Sequence, residues 1–383
     1  MAMAVALVAI VAASLLFHFV SPWHATPLAS NWQAMDDTLL ITFVITGVFF
    51  VAINLFIVFA ILRFRHRPGA RRRARGEADD SRLERWLIVG TTVGIVALLA
   101  PGLAVYAEYI RPPADAMTVE ALSQQWQWRF RFPGDSGRLG GSDVRFVAPD
   151  NPFGVDPADP EAHDDRLVVS HELHLPLGRP VRMLLRSHDV LHDFYVPQFR
   201  ARMNIVPGMV TSFWFTPTEA GRYEILCAQL CGIGHFNMRG VVVVEEPAAF
   251  DAWLREQPTF AAATAPAGGE SASDAGAASA DADSAPARGK AIAQAKGCLG
   301  CHSVDGSRII GPSWKGLYGG RTELADGSAA RVDDDYLRRS IAEPNAQIVK
   351  GYPPLMPPSE LTEDETEALL AYLRSLGGGD GKH

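Results

Sequence analysis

The sequence of 383 residues predicts a multidomain membrane protein with a transmembrane helical hairpin, an all-β domain and an all-α domain. Three observations support this prediction. Two apolar runs without a charged side chain occupy residues 38–62 and 86–106. Short β-rich runs separated by Gly, Pro and Asp clusters follow between residues 117 and 246, which is typical of an all-β sandwich or barrel. A segment rich in Ala, Ser and Gly then precedes a C-terminal region with a helical pattern.

The composition excludes several classes of protein. Apolar residues make up 48% of the chain and charged residues 20%, which excludes intrinsic disorder as the overall state. The net charge of −8 argues against a nucleic-acid binder, which would carry a basic face. The four cysteines form two tight pairs, Cys227/Cys231 and Cys298/Cys301, whereas a disulfide scaffold would spread them more widely. We therefore predict that both pairs bind cofactors.

The two apolar runs reach the length of about 20 residues that a helix needs to cross a bilayer. They predict a transmembrane hairpin over residues 36–110. The connecting loop is dense in arginine between residues 63 and 75, and short basic loops stay in the cytoplasm. Everything after the hairpin is then predicted to lie outside, in a periplasm. Residues 1–25 hold another apolar segment, which is either a signal peptide or a first transmembrane segment.

The part of the chain outside the membrane divides into two domains. The β-rich domain is predicted over residues 115–250, and a flexible Ala/Ser/Gly linker over residues 261–286. A helical domain over residues 287–380 completes the chain. Its last helix is predicted to begin after Thr362, which forms a capping-box pattern with Glu365.

The helical domain carries Cys298-Leu-Gly-Cys301-His302, the C-x-x-C-H pattern of covalent haem attachment. Two thiols on one helical turn can meet both vinyl groups of a porphyrin, and the imidazole of His302 then faces the iron. A redox C-x-x-C motif and half of a zinc site are the alternatives, but no second cysteine pair follows and no βαβ pattern is present. Met356 is the only methionine after this motif, so it is the candidate sixth ligand, and the only other histidine there is His383. His/Met ligation suits electron transfer, and the domain resembles a class I cytochrome c over its whole length.

A second cluster of metal-binding residue types follows a predicted strand at residues 222–226. Cys227, Cys231, His235 and Met238 lie within twelve residues. Thiolate, thioether and imidazole ligands together favour copper over zinc. A mononuclear blue-copper site uses one cysteine, so the second cysteine indicates two copper ions bridged by two thiolates.

This cluster resembles the CuA centre of subunit II of haem-copper cytochrome c oxidase, and the resemblance extends from residue 37 to residue 246. It implies a cupredoxin-like fold for the β domain. The family pattern adds an upstream S-x-D-V-x-H motif, found here at residues 187–192. Spacing alone leaves His188 open as a ligand, whereas the family pattern selects His192. The implied ligands are the bridging Cys227 and Cys231, His192 and His235 with one copper each, the weak ligand Met238, and the backbone carbonyl of Gln229.

Two positions depart from the family pattern. Gln229 stands where the family has a glutamate that also reaches a magnesium ion shared with subunit I, and a neutral amide is a poorer ligand for that ion, which makes magnesium doubtful here. Residues 125–128, Q-W-Q-W, match the family's aromatic patch except for Gln127, where the family usually has tyrosine. Trp126 is the candidate exposed residue at which electrons from cytochrome c are accepted, and Trp128 is expected to be buried.

Three other residues receive weaker assignments. Glu84 corresponds either to the family's glutamate at the mouth of a proton channel or to a simple interfacial carboxylate. His171 and His174 are expected to be structural or solvated rather than metal ligands.

The order of domains resembles the caa-type oxidases, in which subunit II carries its own cytochrome c. This resemblance implies a respiratory cytochrome c oxidase subunit that accepts electrons through haem c and passes them to CuA. They then reach the haem-copper centre of subunit I, where oxygen is reduced to water and protons are translocated. The implied partners are subunits I and III and an external donor, such as a c-type cytochrome or a quinol-oxidising complex. The implied location is the bacterial inner membrane, crossed more than once, with both cofactor domains on the periplasmic side.

Two other functions remain open at this point. A CuA-bearing subunit of a nitric oxide reductase shares the fold and the copper motif. The other is a free-standing electron carrier or copper-delivery protein, although copper delivery has no need of the haem motif. An assay that compares oxygen consumption with nitric oxide consumption distinguishes an oxidase from a nitric oxide reductase. Co-purification with a large polytopic subunit would exclude a free-standing carrier.

Overall fold

The computed structural model describes residues 2–22, 26–65, 81–148, 151–168, 170–264, 284–306, 310–359 and 361–377. Most of the predicted basic loop lies outside the described residues, from position 66 to position 80. Most of the predicted linker, from position 265 to position 283, also lies outside them.

Three N-terminal helices are long and apolar enough to cross a membrane. They are α1 (Ala2–Val20), α2 (Gln33–Phe64) and α3 (Ser81–Tyr109). None of the most apolar stretch of α2 or α3 is buried inside the protein. Apolar helices that leave their side chains uncovered need another apolar environment, and a bilayer provides one.

The middle of the chain folds into two five-stranded sheets, as the predicted β sandwich requires. The strands are β1 (Met117–Gln124), β2 (Gln127–Phe132), β3 (Arg166–Val168), β4 (Glu172–Pro176), β5 (Val181–Ser187), β6 (His192–Val196), β7 (Ala201–Ile205), β8 (Thr211–Phe215), β9 (Gly221–Cys227) and β10 (Arg239–Glu245). The first sheet has the order β3-β2-β1-β5-β8, and the second has the order β4-β10-β9-β6-β7. The pairs β1/β5 and β10/β4 are parallel, and the others are antiparallel.

Alternating apolar residues from both sheets fill the space between them. Trp128 is fully buried, as predicted, and its ring meets that of Phe194 edge-on at 5.7 Å between centroids. Phe213 of β8 packs against Phe194 at 6.0 Å between centroids. This aromatic core holds the sheet that carries β6 and β9 in a fixed position against its partner sheet.

The β domain is fastened directly to the N-terminal helices. The guanidinium of Arg200 holds both carboxylate oxygens of Asp36 at the start of α2, at 2.7 and 2.9 Å. The buried Trp32 donates from its indole nitrogen to the carbonyl of Trp214 at 2.9 Å. At the end of α3, the hydroxyl of Tyr109 accepts a hydrogen bond from the amide of Arg202 at 2.9 Å.

The C-terminal part begins with two helices that remain with the β domain, α4 (Pro247–Glu256) and α5 (Phe260–Thr264). Helix α5 occupies the predicted start of the linker, because Phe260 is buried in a small apolar cluster with residues of the β domain. The helical domain contains α6 (Ala285–Ala295), α7 (Asp334–Ala342) and α8 (Glu363–Leu376). The predicted capping box before α8 is present in full.

The helical domain is not purely α, which corrects the all-α prediction. It also contains a two-stranded antiparallel sheet, β11 (Arg321–Glu323) and β12 (Ala329–Arg331). The connecting turn contains Asp326 and Gly327, and Gly327 has a φ of 85°. An Asp-Gly pair favours such a hairpin because glycine adopts positive φ without strain. Short 3-10 helices complete the fold at Val144–Phe146, Pro160–Ala162, Pro197–Phe199, His235–Asn237, Cys298–Gly300 and Pro344–Ala346.

Candidate metal centres

Two neighbouring strands bring the predicted copper ligands together. Cys227 is the last residue of β9, Cys231 follows in the next loop, and His192 is the first residue of β6. Because β6 pairs with β9, residues far apart in sequence meet where the end of β9 lies beside the start of β6. The two sulfur atoms of Cys227 and Cys231 are 3.6 Å apart.

Each of these sulfur atoms has an imidazole of its own. Nδ1 of His192 lies 3.8 Å from Sγ of Cys227, and Nδ1 of His235 lies 3.6 Å from Sγ of Cys231. The arrangement therefore has two similar halves joined through the pair of thiols.

Met238 and Gln229 complete the predicted set. Sδ of Met238 lies 4.0 Å from Sγ of Cys231, and the carbonyl oxygen of Gln229 lies 3.3 Å from Sγ of Cys227. Met238 and His192 are almost fully buried, so the cluster is shielded from water. Two thiols, two imidazoles, a thioether and a carbonyl form a donor set that fits copper.

The hydrogen bonds of Cys227 favour its ligand form. The hydrogen bond from the thiol of Cys231 lowers the pKa of Cys227, and the contact with His192 lowers it further, against the opposing effect of burial. A thiolate is the form of cysteine that binds metals. Of the two thiols, Cys227 is therefore the one that loses its proton more readily.

Asp189 orients the imidazole of His192. Its Oδ1 atom lies 2.8 Å from Nε2 of His192, and its Oδ2 atom accepts a hydrogen bond from the amide of Gln125 at 2.7 Å. A proton held on Nε2 leaves Nδ1 free to face the cysteines, as the geometry requires. Asp189 is the aspartate of the S-x-D-V-x-H motif. Its position three residues before His192 is the sequence signal for a residue that orients the imidazole.

The other histidines of the β domain do not join the cluster. His188 is exposed, and its Nε2 atom contacts the carbonyl of Pro152. His174 stacks on the ring of Trp253 at 4.2 Å between centroids and pairs with Glu245. His171 is half-buried at the edge of β4, and burial lowers its pKa.

The helical domain, together with the turn at Gln125 and Trp126, lines a largely apolar cavity. Cys298, Cys301, His302 and Met356 all line it. Two thiols, an imidazole and a thioether thus converge on one space, which is the donor set of a covalently attached haem with His/Met ligation. Burial raises the pKa of Cys298 to about 11, so this thiol stays protonated at neutral pH in the protein alone.

The imidazole of His302 is held in the orientation that an axial ligand needs. Its Nδ1 atom lies 2.8 Å from the carbonyl of Pro312, so Nδ1 is the donor and Nε2 remains available. The ring stacks on Trp314 at 5.2 Å between centroids. A Cβ atom at Gly311 would lie 2.7 Å from the ring, so this close approach requires glycine. Burial lowers the pKa of His302, which keeps the imidazole neutral.

Trp126 is half-buried, which corrects the expectation that it is exposed. Its indole nitrogen lies 3.2 Å from the carbonyl of Cys231, and its ring lies against Gly234. Its role in accepting electrons stays a prediction. Gln127 is almost fully buried. Glu84 is exposed in the first turn of α3, and the role of Glu84 also stays a prediction.

Three residues around these centres were not predicted from the sequence. Asp189 and Gln125 lie in the S-x-D-V-x-H and Q-W-x-W motifs, but neither motif predicts a role for these two residues. Asn237 lies between two predicted copper ligands and donates from its side chain to the carbonyl of Gly300 in the helical domain. No sequence pattern indicates this last contact, because it joins two separate domains.

Comparisons with known proteins find family matches for the two domains that carry these clusters. Residues 117–246 match the family described as cytochrome C oxidase subunit II, periplasmic domain, and residues 286–377 match the family described as cytochrome c. A protein of Bradyrhizobium diazoefficiens named alternative cytochrome c oxidase subunit 2 is 52% identical over 261 residues, which cover 68% of this chain and 94% of that protein. A protein of Alkalihalophilus pseudofirmus named cytochrome c oxidase subunit 2 is 24% identical over 365 residues, or 91% of this chain and 89% of that protein.

Among solved structures, the periplasmic domain of subunit II of cytochrome oxidase from Bradyrhizobium japonicum is similar to part of this chain. The sequences are 25% identical, and the match covers 38% of this chain and 95% of that one, with a TM-score of 0.28.

Proposed function

This chain belongs to the cytochrome c oxidase subunit 2 family, and from that premise we propose that it is the electron-accepting subunit II of a respiratory oxidase with its own cytochrome c domain. The proposed path of electrons runs from an external donor to the haem-binding domain, then to a dinuclear copper centre and then to subunit I. There oxygen is reduced to water and protons are translocated across the membrane. The oxygen-reducing site belongs to subunit I, and this chain supplies the electrons.

One observation carries the dinuclear proposal. Two thiols stand 3.6 Å apart, and each has a separate imidazole, His192 beside Cys227 and His235 beside Cys231. A mononuclear blue-copper site uses one thiolate, so a second thiol with an imidazole of its own supports a site for two copper ions. When bound, two bridged copper ions would share one electron, which keeps the change in geometry between redox states small.

The side chains of the helical domain support its proposed role as the first acceptor. His302 and Met356 would hold the iron, and Cys298 and Cys301 would hold the porphyrin. A haem with this ligation supplies one-electron chemistry at a raised reduction potential. Trp314 and the carbonyl of Pro312 fix the plane of the imidazole, and the apolar walls of the cavity exclude water.

The proposed placement is a bacterial inner membrane, crossed by the apolar helices, with both cofactor domains on the periplasmic side. Subunit I is the partner that membership of the family implies. Subunit III and an external donor, such as a c-type cytochrome or a quinol-oxidising complex, are further proposed partners. Because the haem-binding domain is tethered, its effective concentration at the copper-binding domain is high.

Gln229 argues against a shared magnesium ion in this protein. Its backbone carbonyl lies beside Cys227 and can serve the copper centre. Its side chain offers only an amide, and hard cations bind carboxylates more strongly. The proposed cofactors are therefore dinuclear copper and covalent haem c, and magnesium at the interface with subunit I is doubtful because of Gln229.

Purified complex tests the proposed function directly. We expect oxygen consumption with reduced donor, two copper ions and one c-type haem per chain, and an EPR signal of two copper ions that share an unpaired electron. Nitric oxide consumption in place of oxygen consumption would assign the chain to a nitric oxide reductase instead. One copper ion per chain, or zinc, would contradict the proposed copper centre.

A further inference from the structure

Arg202 connects helix α3 to the strands that carry the predicted copper cluster. It lies in β7, which pairs with β6, the strand that begins with His192. The hydroxyl of Tyr109, at the end of α3, accepts a hydrogen bond from the amide of Arg202 at 2.9 Å and donates one to its carbonyl at 3.2 Å. Tyr109 is almost fully buried, so the backbone of Arg202 is fixed from within the core.

The side chain of Arg202 reaches the surroundings of the predicted copper ligands. Its Nε atom lies 3.3 Å from Oδ2 of Asp193, and its Nη2 atom donates a hydrogen bond to the carbonyl of Ala228 at 3.4 Å. Asp193 directly follows His192 in the sequence, and Ala228 directly follows Cys227. The guanidinium therefore contacts the chain next to one imidazole and next to one thiol of the cluster.

Asp193 places a carboxylate beside the same cluster. Its side chain is 3% exposed, and its backbone carbonyl accepts a hydrogen bond from the amide of Ala228 at 3.1 Å. After the hydrogen bond from Cys231, a backbone hydrogen bond from Asp193 is among the contacts that lower the pKa of Cys227. Oδ1 of Asp193 is buried and has no hydrogen-bond partner in the part of the chain that the structure describes. A buried carboxylate is costly without a cation, and Arg202 supplies one.

Arg222 of β9 provides a comparison within the same sheet. The side chain of Arg222 is 58% exposed and that of Arg202 is 57% exposed, and each pairs with a carboxylate. The partner of Arg222 is Glu172, which is 43% exposed, and Arg222 lies at the opposite end of β9 from Cys227. Water and salt screen an exposed pair, whereas a charge beside a buried carboxylate is screened less. Arg202 can therefore act on the copper cluster more strongly than Arg222 can.

We propose that Arg202 is a positioning residue of the copper centre: its charge raises the reduction potential, and its contact with Ala228 holds the loop after β9. The inference rests on the proposed function, because it requires a copper centre that gains and loses one electron. A nearby cation favours the reduced centre, which carries one positive charge less than the oxidised centre, and the carboxylate of Asp193 has the opposite effect. The bonds to Tyr109 fix the position of this charge relative to α3.

A redox titration of the copper centre, followed by its EPR signal in the purified complex, tests the inference. Arg202→Gln removes the charge but can still donate a hydrogen bond. We expect the ratio of reduced to oxidised centre at a fixed applied potential to fall about tenfold, the order of effect of a unit charge near a protein surface. Arg202→Lys keeps the charge and should restore most of this ratio, and a ratio as low as in Arg202→Gln would contradict the role of the charge. Arg222→Gln is the matched control and should leave the ratio unchanged.

Asp193→Asn separates an effect of charge from a loosened loop. Removal of the carboxylate should raise the ratio of reduced to oxidised centre, the direction opposite to that of Arg202→Gln. A loosened loop gives no reason for opposite shifts from the two partners of one ion pair. Shifts of the same sign, or an unchanged ratio in both variants with copper retained, would overturn the inference and leave the proposed function standing.

The copper content of the same samples keeps the two proposals separate. If the unchanged chain shows no two-copper signal, the proposed function fails and the inference fails with it. If Arg202→Gln alone loses copper, Asp193→Asn decides: a raised ratio supports the inference, and a lowered or unchanged ratio overturns it. Loss of copper from both variants would show a structural role alone and overturn the effect of charge.

Discussion

The indole nitrogen of Trp126 donates a hydrogen bond to the backbone carbonyl of Cys231 at 3.2 Å. Cys231 is a predicted bridging ligand, so this bond connects an aromatic residue at the contact between domains to the loop that would hold copper. The same carbonyl accepts a second bond from Nε2 of Gln125 at 2.8 Å. The conformation of the copper loop is therefore set in part by the turn between β1 and β2.

Replacing Trp126 with phenylalanine should loosen the copper loop. The variant keeps an aromatic ring over Gly234 but removes the donor to Cys231, and one net hydrogen bond contributes about 1 kcal/mol. We expect release of copper to a chelator to become about fivefold faster. Trp86→Phe changes an exposed tryptophan on α3 and serves as the control. Equal release rates in both variants would show that the bond does not support the loop.

Replacing Cys227 with serine should abolish the signal of the two-copper centre and leave the haem absorption intact. The hydroxyl cannot provide the bridging thiolate, whereas the haem thiols lie in a different domain. EPR and absorption spectra of the full chain measure both outcomes. Cys298→Ser is the reciprocal variant, and it should impair haem attachment while retaining the copper signal. Loss of both signals in either variant would mean that the two centres are not independent.

Replacing Asp189 with asparagine should weaken copper binding without removing a ligand. The carboxylate of Asp189 orients His192 through Nε2 at 2.8 Å, and such outer partners typically contribute a factor of about 10 to 100 in metal affinity. Competition with a copper chelator measures the change. An unchanged affinity would indicate that burial alone fixes the ring of His192.

Replacing Met356 with alanine should leave the haem attached but open one coordination position. Cys298 and Cys301 would still hold the porphyrin, and His302 would still bind the iron. We expect a lower reduction potential, because the thioether ligand raises it, and new binding of carbon monoxide by the reduced haem. Met209→Ala, at an exposed position in the β domain, is the control. Retention of a six-coordinate spectrum would exclude Met356 as the ligand.

The stability of the β domain should depend on pH through Asp165. This carboxylate is buried beside Arg131, at 2.9 Å, and burial raises the pKa of Asp165 to about 6 despite the attraction of the guanidinium. The unfolded value is about 3.9, so the folded state retains the proton more strongly between these values. The contribution of Asp165 to stability should therefore fall as pH rises from about 4 to about 6 and stay level above that range.

Thermal unfolding across this pH range, compared between the unchanged chain and Asp165→Asn, measures the contribution of this one group. The variant cannot ionise at this position, so the difference in unfolding temperature between the two proteins should change through the range. A constant difference would contradict the raised pKa of Asp165.

Short motifs made both predicted centres recognisable in the sequence. Cys227, Cys231, His235 and Met238 lie close together along one loop, so local spacing alone brings them to one place. His192 required the family pattern, because only the pairing of β6 with β9 carries it to the cysteines. The six predicted copper residues come together in the structure, and their roles as ligands stay predictions.

The features that the sequence did not predict depend on contacts between distant parts of the chain. The family resemblance predicts an exposed Trp126, because nothing in the neighbouring sequence indicates that the haem-binding segment lies against it. The hairpin of β11 and β12 was missed, although its Asp326-Gly327 turn carries a recognisable signal. Asn237 could not be recognised, because its partner, Gly300, belongs to another domain.

The bidentate ion pair between Arg200 and Asp36 limits movement of the copper-binding domain relative to the N-terminal helices. Together with the bond between Tyr109 and Arg202, it fastens the copper-binding domain to two membrane-directed helices at once. In the proposed electron path, the distance between the copper centre and its acceptor in subunit I would then stay constant. Movement would then be confined to the haem-binding domain, so contact with the external donor would not change that distance.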